Sequence, residues 1–261
     1  MDFSALNAGG LYGDRHVHQA WRTWSAQYLA PAGKDVVDIG CGAGIYAGGF
    51  ARMGARAVTG VDITEQYLLE AKAQYAQTPN MSFVLGTANA TGLASACADI
   101  VFQRAVIHHL NDTEQLASAR ENFRVLRAGG VCAIQDRTLE DVKATDPAYW
   151  IRATLFEVFP QLVQFEATRR PVTERYSAHL TVAGFHDIEI VSVPEVRRVY
   201  GTFESLESEI LSRKGKSILF ELSDTELRRY CDVLAQRAPA HDLREVDPWT
   251  VWIARAGEAH A

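Results

Sequence analysis

The stretch Val36-Val37-Asp38-Ile39-Gly40-Cys41-Gly42-Ala43-Gly44-Ile45-Tyr46 leaves the chain few ways to fold. Val36, Val37 and Ile39 form a short apolar run of the kind that makes a buried parallel strand, and Asp38 puts a carboxylate near its end. Three glycines at alternate positions follow. Without a Cβ, the backbone there can turn sharply and a ligand can lie close against it. Ile45 to Met53 then reads as a helix whose first N–H groups have no partner inside the helix and face the same point. Strand, glycine turn and helix N-terminus together describe a cradle for a nucleoside-type cofactor.

The chain repeats this alternation. Ala57 to Asp62 is a second strand ending in a carboxylate, and Thr64 to Gln77 reads as a helix. Met81 to Leu85 and Asp99 to Gln103 read as strands three and four, and Asp112 and Thr113 start a helix that Gly129 and Gly130 stop. Val131 to Ile134 is a fifth strand, followed by Gln135-Asp136-Arg137. Alternating strands and helices of these lengths imply a parallel sheet covered on both faces, a Rossmann-like doubly wound α/β fold. Right-handed crossovers put the strand ends on one edge, where open sheets of this kind bind ligands.

Before the first strand, a helix over 14–30 carries Val17, Trp21, Trp24, Tyr28 and Leu29 at helical spacing, with Asp14 as its cap. Residues 1–13 read as an arm, from which Tyr12, together with Arg15, can reach a bound substrate. In the last third, Pro147 to Phe165 is aromatic and helical, and a helix over 172–182 ends at Gly184. Phe185 to Val191 and Trp249 to Ile253 alternate as strands. The residues between them, about 195–245, read as a helical cap inserted before the last strand, and a capping box starts at Ser223. The aromatic residues of this third are expected to pack the cap. No linker divides residues 1–261, which read as one domain.

A net charge of −6 argues against nucleic acid as a partner, and no apolar stretch is long enough to span a membrane. Arg169-Arg170, Arg197-Arg198 and Arg213-Lys214 read as solvated helix ends. Cysteines 41, 97, 132 and 231 lack metal-ligand spacing and read as reduced thiols of a cytoplasmic protein. A homodimer stays open.

From Gly42 the turn also reads Gly-x-Gly-x-x-Ala, which nicotinamide-binding folds allow, and Asp62 can accept from the ribose hydroxyls of either kind of cofactor. An NAD-type oxidoreductase is therefore the alternative, and a cofactor-binding module without turnover a third reading. Asp38 argues against the dinucleotide, because a carboxylate there repels a pyrophosphate and attracts an ammonium or sulfonium. Gly86-Thr87-Ala88 after the third strand suits an adenine edge.

These residues, with Asp99-Ile100-Val101-Phe102 leading to Val106-Ile107-His108-His109-Leu110 and Val125-Leu126-Arg127-Ala128-Gly129-Gly130, resemble the class I S-adenosylmethionine-dependent methyltransferases. Within them the likeness is to the small-molecule branch with the ubiquinone and menaquinone enzymes. The resemblance implies a sheet of seven strands with the last antiparallel, and transfer of a methyl group to a small-molecule acceptor, leaving S-adenosylhomocysteine. It also implies cofactor contacts. Gly40, Gly42 and Gly44 would let the backbone lie under the cofactor, Asp38 would sit near the methionine ammonium, and Asp62 would take the ribose hydroxyls. Ile63 would lie on the adenine face and Ala88 would donate its N–H to the ring, with Thr87 standing where the family usually carries an aspartate. Arg104 departs from the family and points at the methionine carboxylate or at an anionic substrate.

Methyl transfer needs alignment and exclusion of water, and a base only if the acceptor must lose a proton. His108 and His109 follow the fourth strand and could supply that base, or could bond backbone at the strand end. Asp136, as a further catalytic candidate, and Arg137, as a substrate ligand, share the edge; a surface ion pair is the other reading of the two. With Gln103 and Arg104 where catechol-type enzymes carry a metal-binding acid, no metal is expected.

Overall fold

The computed structural model describes residues 17–213, 216–239 and 241–257. Helix α1 (Gln19–Tyr28) leads into β1 (Asp35–Ile39), α2 (Ile45–Arg52), β2 (Ala57–Asp62), α3 (Glu65–Gln74), β3 (Met81–Leu85) and β4 (Ala98–Arg104). A single 3₁₀ turn at Ile107–His109 precedes α4 (Asp112–Val125) and β5 (Leu126–Asp136). Three short helices follow, α5 (Leu139–Val142), α6 (Trp150–Val158) and α7 (Gln161–Ala167), and then α8 (Thr173–Ala183). The chain closes with β6 (Phe185–Tyr200), α9 (Phe203–Leu211), α10 (Asp224–Arg237) and β7 (Leu243–Ala256).

One sheet of seven strands runs in the order β3-β2-β1-β4-β5-β7-β6, with β7 antiparallel to both neighbours. The apolar run Val36 to Ile39 is buried throughout, because helices cover both faces of the central strands. Alternation sends Val36, Ile100 and Phe102 into a core with Trp21, Trp24 and Phe50. Val37, Ile39 and Val101 go to the opposite face, with Ile107, Tyr176, Leu180 and Trp252. Strand order reverses between β1 and β4, so the crevice of the sheet opens at the ends of Ile39 and Arg104.

Several element ends differ from the sequence reading. Asp14 lies outside the described residues, and α1 is capped at His18, whose ring accepts from the Ala20 N–H. Helix α4 does start at Asp112, and Asn111 before it is the cap, in a capping box with Glu114. Gly129 and Gly130 do not end that helix; they sit inside β5, where the pairing with β4 is irregular. The largest difference is at β6 and β7, which run on as a two-stranded ribbon through Pro194 and Pro248, paired with each other. Proline donates nothing to a ladder, but β6 is the edge strand and β5 ends opposite Thr250, so neither ring interrupts a third strand. The insertion between the strands is accordingly shorter than 195–245.

The ribbon carries the chain into a third apolar cluster. Leu206, Ile210, Leu227, Tyr230 and Leu234 of α9 and α10 pack there with Ile151, Leu155, Phe159 and Leu162 of α6 and α7. Two separate segments thus build one cap over the carboxyl edge of the sheet. Phe220, 57% exposed, stays outside it, as does Tyr149.

Candidate active site

The glycine turn forms because the end of β1 needs backbone angles that side chains resist. Gly40 has φ +75°, and a Cβ there would stand 2.3 Å from the Val106 side chain. Gly42 has φ +52° and faces open space, leaving its backbone accessible. The N–H groups of Gly40 and Cys41 both donate to the Val61 carbonyl, at 2.7 and 3.0 Å, and pin the turn to β2.

Asp38 is buried beneath this turn, and its Oδ2 has no hydrogen-bond partner. Burial, then the charge of Asp62, pushes its carboxyl up to about 7, against the pull of Arg104. A buried carboxyl oxygen without a donor is costly, and a ligand cation removes the cost. Asp62 braces the loop: its Oδ2 accepts from the Gly42 N–H and its Oδ1 from the Thr64 N–H, each at 2.8 Å. Thr64, at the start of α3, makes no capping bond with its own side chain. Beside it, Ile63 is 65% exposed, an apolar surface open to a flat ring. Thr87 and Ala90 exchange backbone hydrogen bonds across the turn that holds Ala88. Glu121, clamped by Arg124, ties this turn to α4 through the Thr91 N–H and hydroxyl. A buried acid that accepts from the Ala47 N–H but keeps one oxygen without a donor, an open glycine backbone and an exposed apolar side chain at one strand edge fit the ammonium, sulfonium and adenine of S-adenosylmethionine.

The edge beyond β4 and β5 is charged and closed. Arg104 is stacked between Tyr46 and Trp249, 4.5 and 3.9 Å from their ring centres, and donates to Glu195 at 3.2 Å. Glu195 also accepts from the Tyr46 hydroxyl and the Gln135 amide. Ala105, next along, has φ +57°, a strained position for a residue with a side chain, held by its N–H bond to the Gln135 carbonyl.

His108 does not bond backbone through its ring. Its Nδ1 meets both oxygens of Asp136, at 2.9 and 3.0 Å, and its own N–H donates to Oδ2 at 3.3 Å. Burial alone would raise the Asp136 carboxyl; the His108 ring, then Arg170 and the Arg137 N–H, hold it well below the usual range. Asp136 is fully buried, with its carboxylate turned to His108. The His109 ring lies 3.9 Å from that of His108. Packing there, then the charge of His108, pushes the His109 imidazole down to about 3. Asp136 and Arg137 form no surface ion pair with each other. Arg137 is buried against Trp249 at 4.1 Å and donates to Asp247 at 2.5 Å.

Sequence reading missed Glu195, Asp247, Trp249 and Arg152, which lie in or beside the ribbon and cap. It also placed Arg169, Arg170 and Arg197 in solvent. Their side chains are 12%, 5% and 14% exposed, in ion pairs with Glu166, Glu209 and Glu245. The usable signal was a set of charges inside apolar, aromatic stretches. Tyr12 and Arg15 lie outside the described residues. Gln103 is buried and donates to Ser118, and among the described residues no group of His, Cys, Asp and Glu could hold a metal. Among them, too, no helix is long and apolar enough to cross a membrane.

Residues 37–134 match the model of a methyltransferase domain. An O-methyltransferase of Pyrenophora dematioidea is 27% identical over 193 residues, 71% of this chain and 67% of that protein. An S-adenosylmethionine-dependent methyltransferase assigned in Mycolicibacterium smegmatis is 40% identical over 100 residues, which is 38% of this chain and 37% of that protein. The chain thus spans between about a third and two thirds of these relatives' length. A solved structure assigned as a methyltransferase of an antibiotic biosynthesis pathway in Anabaena variabilis shares the fold, with a TM-score of 0.68 at 17% identity. It covers 92% of this chain and 98% of its own. These likenesses favour the sulfonium cofactor over the nicotinamide one, in keeping with the buried acid under the turn. Residues 37–134 are thus a methyltransferase domain, and the chain shares the fold of solved methyltransferases.

Proposed function

We propose that the protein methylates a small organic molecule enclosed between the carboxyl edge of the sheet and the cap, with His108 taking the acceptor's proton. The observation that carries this reading is the fully buried Asp136 holding His108 Nδ1 on the same edge as the glycine turn. A carboxylate acceptor at Nδ1 fixes the proton there and leaves Nε2 as the basic nitrogen. S-adenosylmethionine supplies a methyl group on a sulfonium centre, and the carbon–sulfur electron pair returns to sulfur as the methyl leaves.

The chain's own residues do the rest. Asp38 pairs with the ammonium of the methionine part, and the backbone at Gly40, Gly42 and Gly44 passes under it. Asp62 offers its carboxylate to the ribose while keeping the loop closed. Ile63 covers one adenine face, and Thr87 and Ala88 meet its edge. The cap excludes water, which raises the effective strength of every charge beneath it. The same reading takes the enzyme as cytoplasmic, with its thiols reduced and with room for a homodimer.

Acceptor profiling with labelled cofactor tests the proposal. Transfer to one class of small molecules, lost in His108→Ala but with S-adenosylhomocysteine binding retained, is the expected result. Transfer to RNA, or calorimetry showing tighter binding of NAD than of S-adenosylhomocysteine, would overturn it.

A further inference from the structure

Five buried guanidinium groups beneath the cap share four carboxylates, while the buried Asp141 beside them accepts only from Thr138 and Thr250. Arg104, Arg137, Arg152, Arg169 and Arg170 meet only Glu195, Asp247, Asp136 and Glu166. Asp247 is shared by Arg137 and Arg152, Glu166 by Arg169 and Arg170, and Asp136 by His108 and Arg170. All five guanidinium side chains are between 5% and 15% exposed, so water does little to compensate them. Asp38, the remaining acid that feels Arg104, is held near neutrality by burial. A buried guanidinium that shares its carboxylate is costly unless a bound anion completes the set.

Two further observations locate the deficit. The Nε atoms of Arg104, Arg137 and Arg169 are buried without a hydrogen-bond partner, and only the first two lie at Trp249. Both guanidinium groups also lie against the same indole, that of Trp249, at 3.9 and 4.1 Å. An arginine with an unused Nε–H edge can donate to a planar carboxylate, and here two such arginines share one ring. Burial, then Arg152, Arg170 and Arg104, pushes Arg137 down to about 9, despite the opposing pull of Asp247, as expected of a guanidinium short of counter-charge. The Arg137 N–H also donates to Asp136, the carboxylate that holds His108, so the deficit and the base adjoin.

We propose that the acceptor is a small organic carboxylate, its carboxylate received by Arg104 and Arg137 beside Trp249, with the methyl group going to a second atom of the same molecule. This inference rests on the methyltransferase reading above. The bond that forms joins methyl carbon to the acceptor's nucleophilic atom, the carbon–sulfur bond breaks with its electrons going to sulfur, and the acceptor's proton passes to His108. The carboxylate itself is unchanged.

The test is calorimetry on the full chain saturated with S-adenosylhomocysteine, using 4-hydroxybenzoate, 3-phenylpropanoate and hexanoate, each against its primary amide and its phosphonate counterpart. The expected result is at least tenfold tighter binding of one or more carboxylates than of the matched amide or phosphonate. Arg137→Gln should erase that preference, and Arg104→Lys, which keeps the charge but loses the fork, should reduce it severalfold. Circular dichroism melts identify a variant that has not folded, and the wild-type preference then decides alone. Equal binding of acid and amide, no binding of any carboxylate, or tighter binding of phosphonates would overturn the inference. If S-adenosylhomocysteine binds in those cases, only the acceptor assignment fails; if it does not bind, the reading beneath it fails.

Discussion

Two ionic clusters sit at opposite edges of the sheet and differ in every respect that matters for function. At the amino edge, Asp35 and Asp99 face Arg56 and Arg127, two acids against two guanidinium groups, with side chains 20% to 61% exposed. Arg56, then Arg127, hold the Asp35 carboxyl down to about 2 in spite of some burial. The set is closed: Asp35 takes both guanidinium groups, and Asp99 also accepts the Asp35 N–H at 2.8 Å. At the carboxyl edge the groups are buried, five guanidinium groups share four carboxylates, and polar atoms are left without partners. A balanced, exposed cluster ties strand ends together. A buried one whose arginines share their acids carries a cost that the fold has no structural reason to bear, and a ligand is the simplest way to meet it.

The comparison can be broken at either end. The largest effect is expected from His108→Ala, which removes the base and should lower turnover by roughly 10²- to 10⁴-fold on an acceptor that must lose a proton. Asp136→Asn should lower turnover less, because the ring remains but its tautomer is no longer fixed. Comparing pH profiles of the two variants separates base from positioning residue. If Asp136→Asn matched wild type at every pH, the orienting role would be wrong.

Asp247→Asn should come next. It leaves Arg137 and Arg152 buried without their shared carboxylate and should cost about 3–5 kcal/mol, a melting point lower by roughly 10 °C. Arg56→Gln at the amino edge should cost far less, because its partners stay solvated and Arg127 still holds both acids. Urea unfolding of both variants checks the order. Equal losses would mean that the two clusters are alike in kind.

These contrasts also show where the sequence was legible. The strands β1 to β5 and the helices between them follow from apolar runs and glycine turns, since local pattern and tertiary burial agree there. The carboxyl edge was legible at His108, Arg104 and Arg137 because each follows a readable strand. It was not legible at Glu195, Asp247 and Trp249. Pro194 and Pro248 hid the ribbon that carries them, since proline reads as a strand breaker and only the edge position of β6 makes it harmless. Arg152 and Arg170 were hidden for another reason. Charged residues in a helical stretch are read as solvent-facing until a second segment is seen to cover them, and α9 and α10 do that from about sixty residues away in the chain. The partners of Asp136 and Arg137 were hidden for the same reason: spacing locates a residue on an edge but does not say what already occupies its polar atoms.

Asp38 links the glycine turn to the electrostatic argument, and its sign can be worked out. Its carboxyl is pushed up to about 7, so as pH rises from 4 to 7 the unfolded chain ionises before the native one and the protein without cofactor loses stability. Asp38→Asn should therefore melt higher than wild type at pH 8 when no cofactor is present, yet bind S-adenosylhomocysteine at least tenfold more weakly.

The direct measurement is calorimetric titration of S-adenosylhomocysteine at pH 6.5 in buffers of different ionisation enthalpy. If Asp38 receives the cofactor's ammonium, binding must expel the proton that the buried carboxyl holds, so wild type should release a large fraction of one proton and Asp38→Asn none. Tight binding with no proton release in wild type, or the same release in the variant, would contradict the placement of the cofactor over this turn.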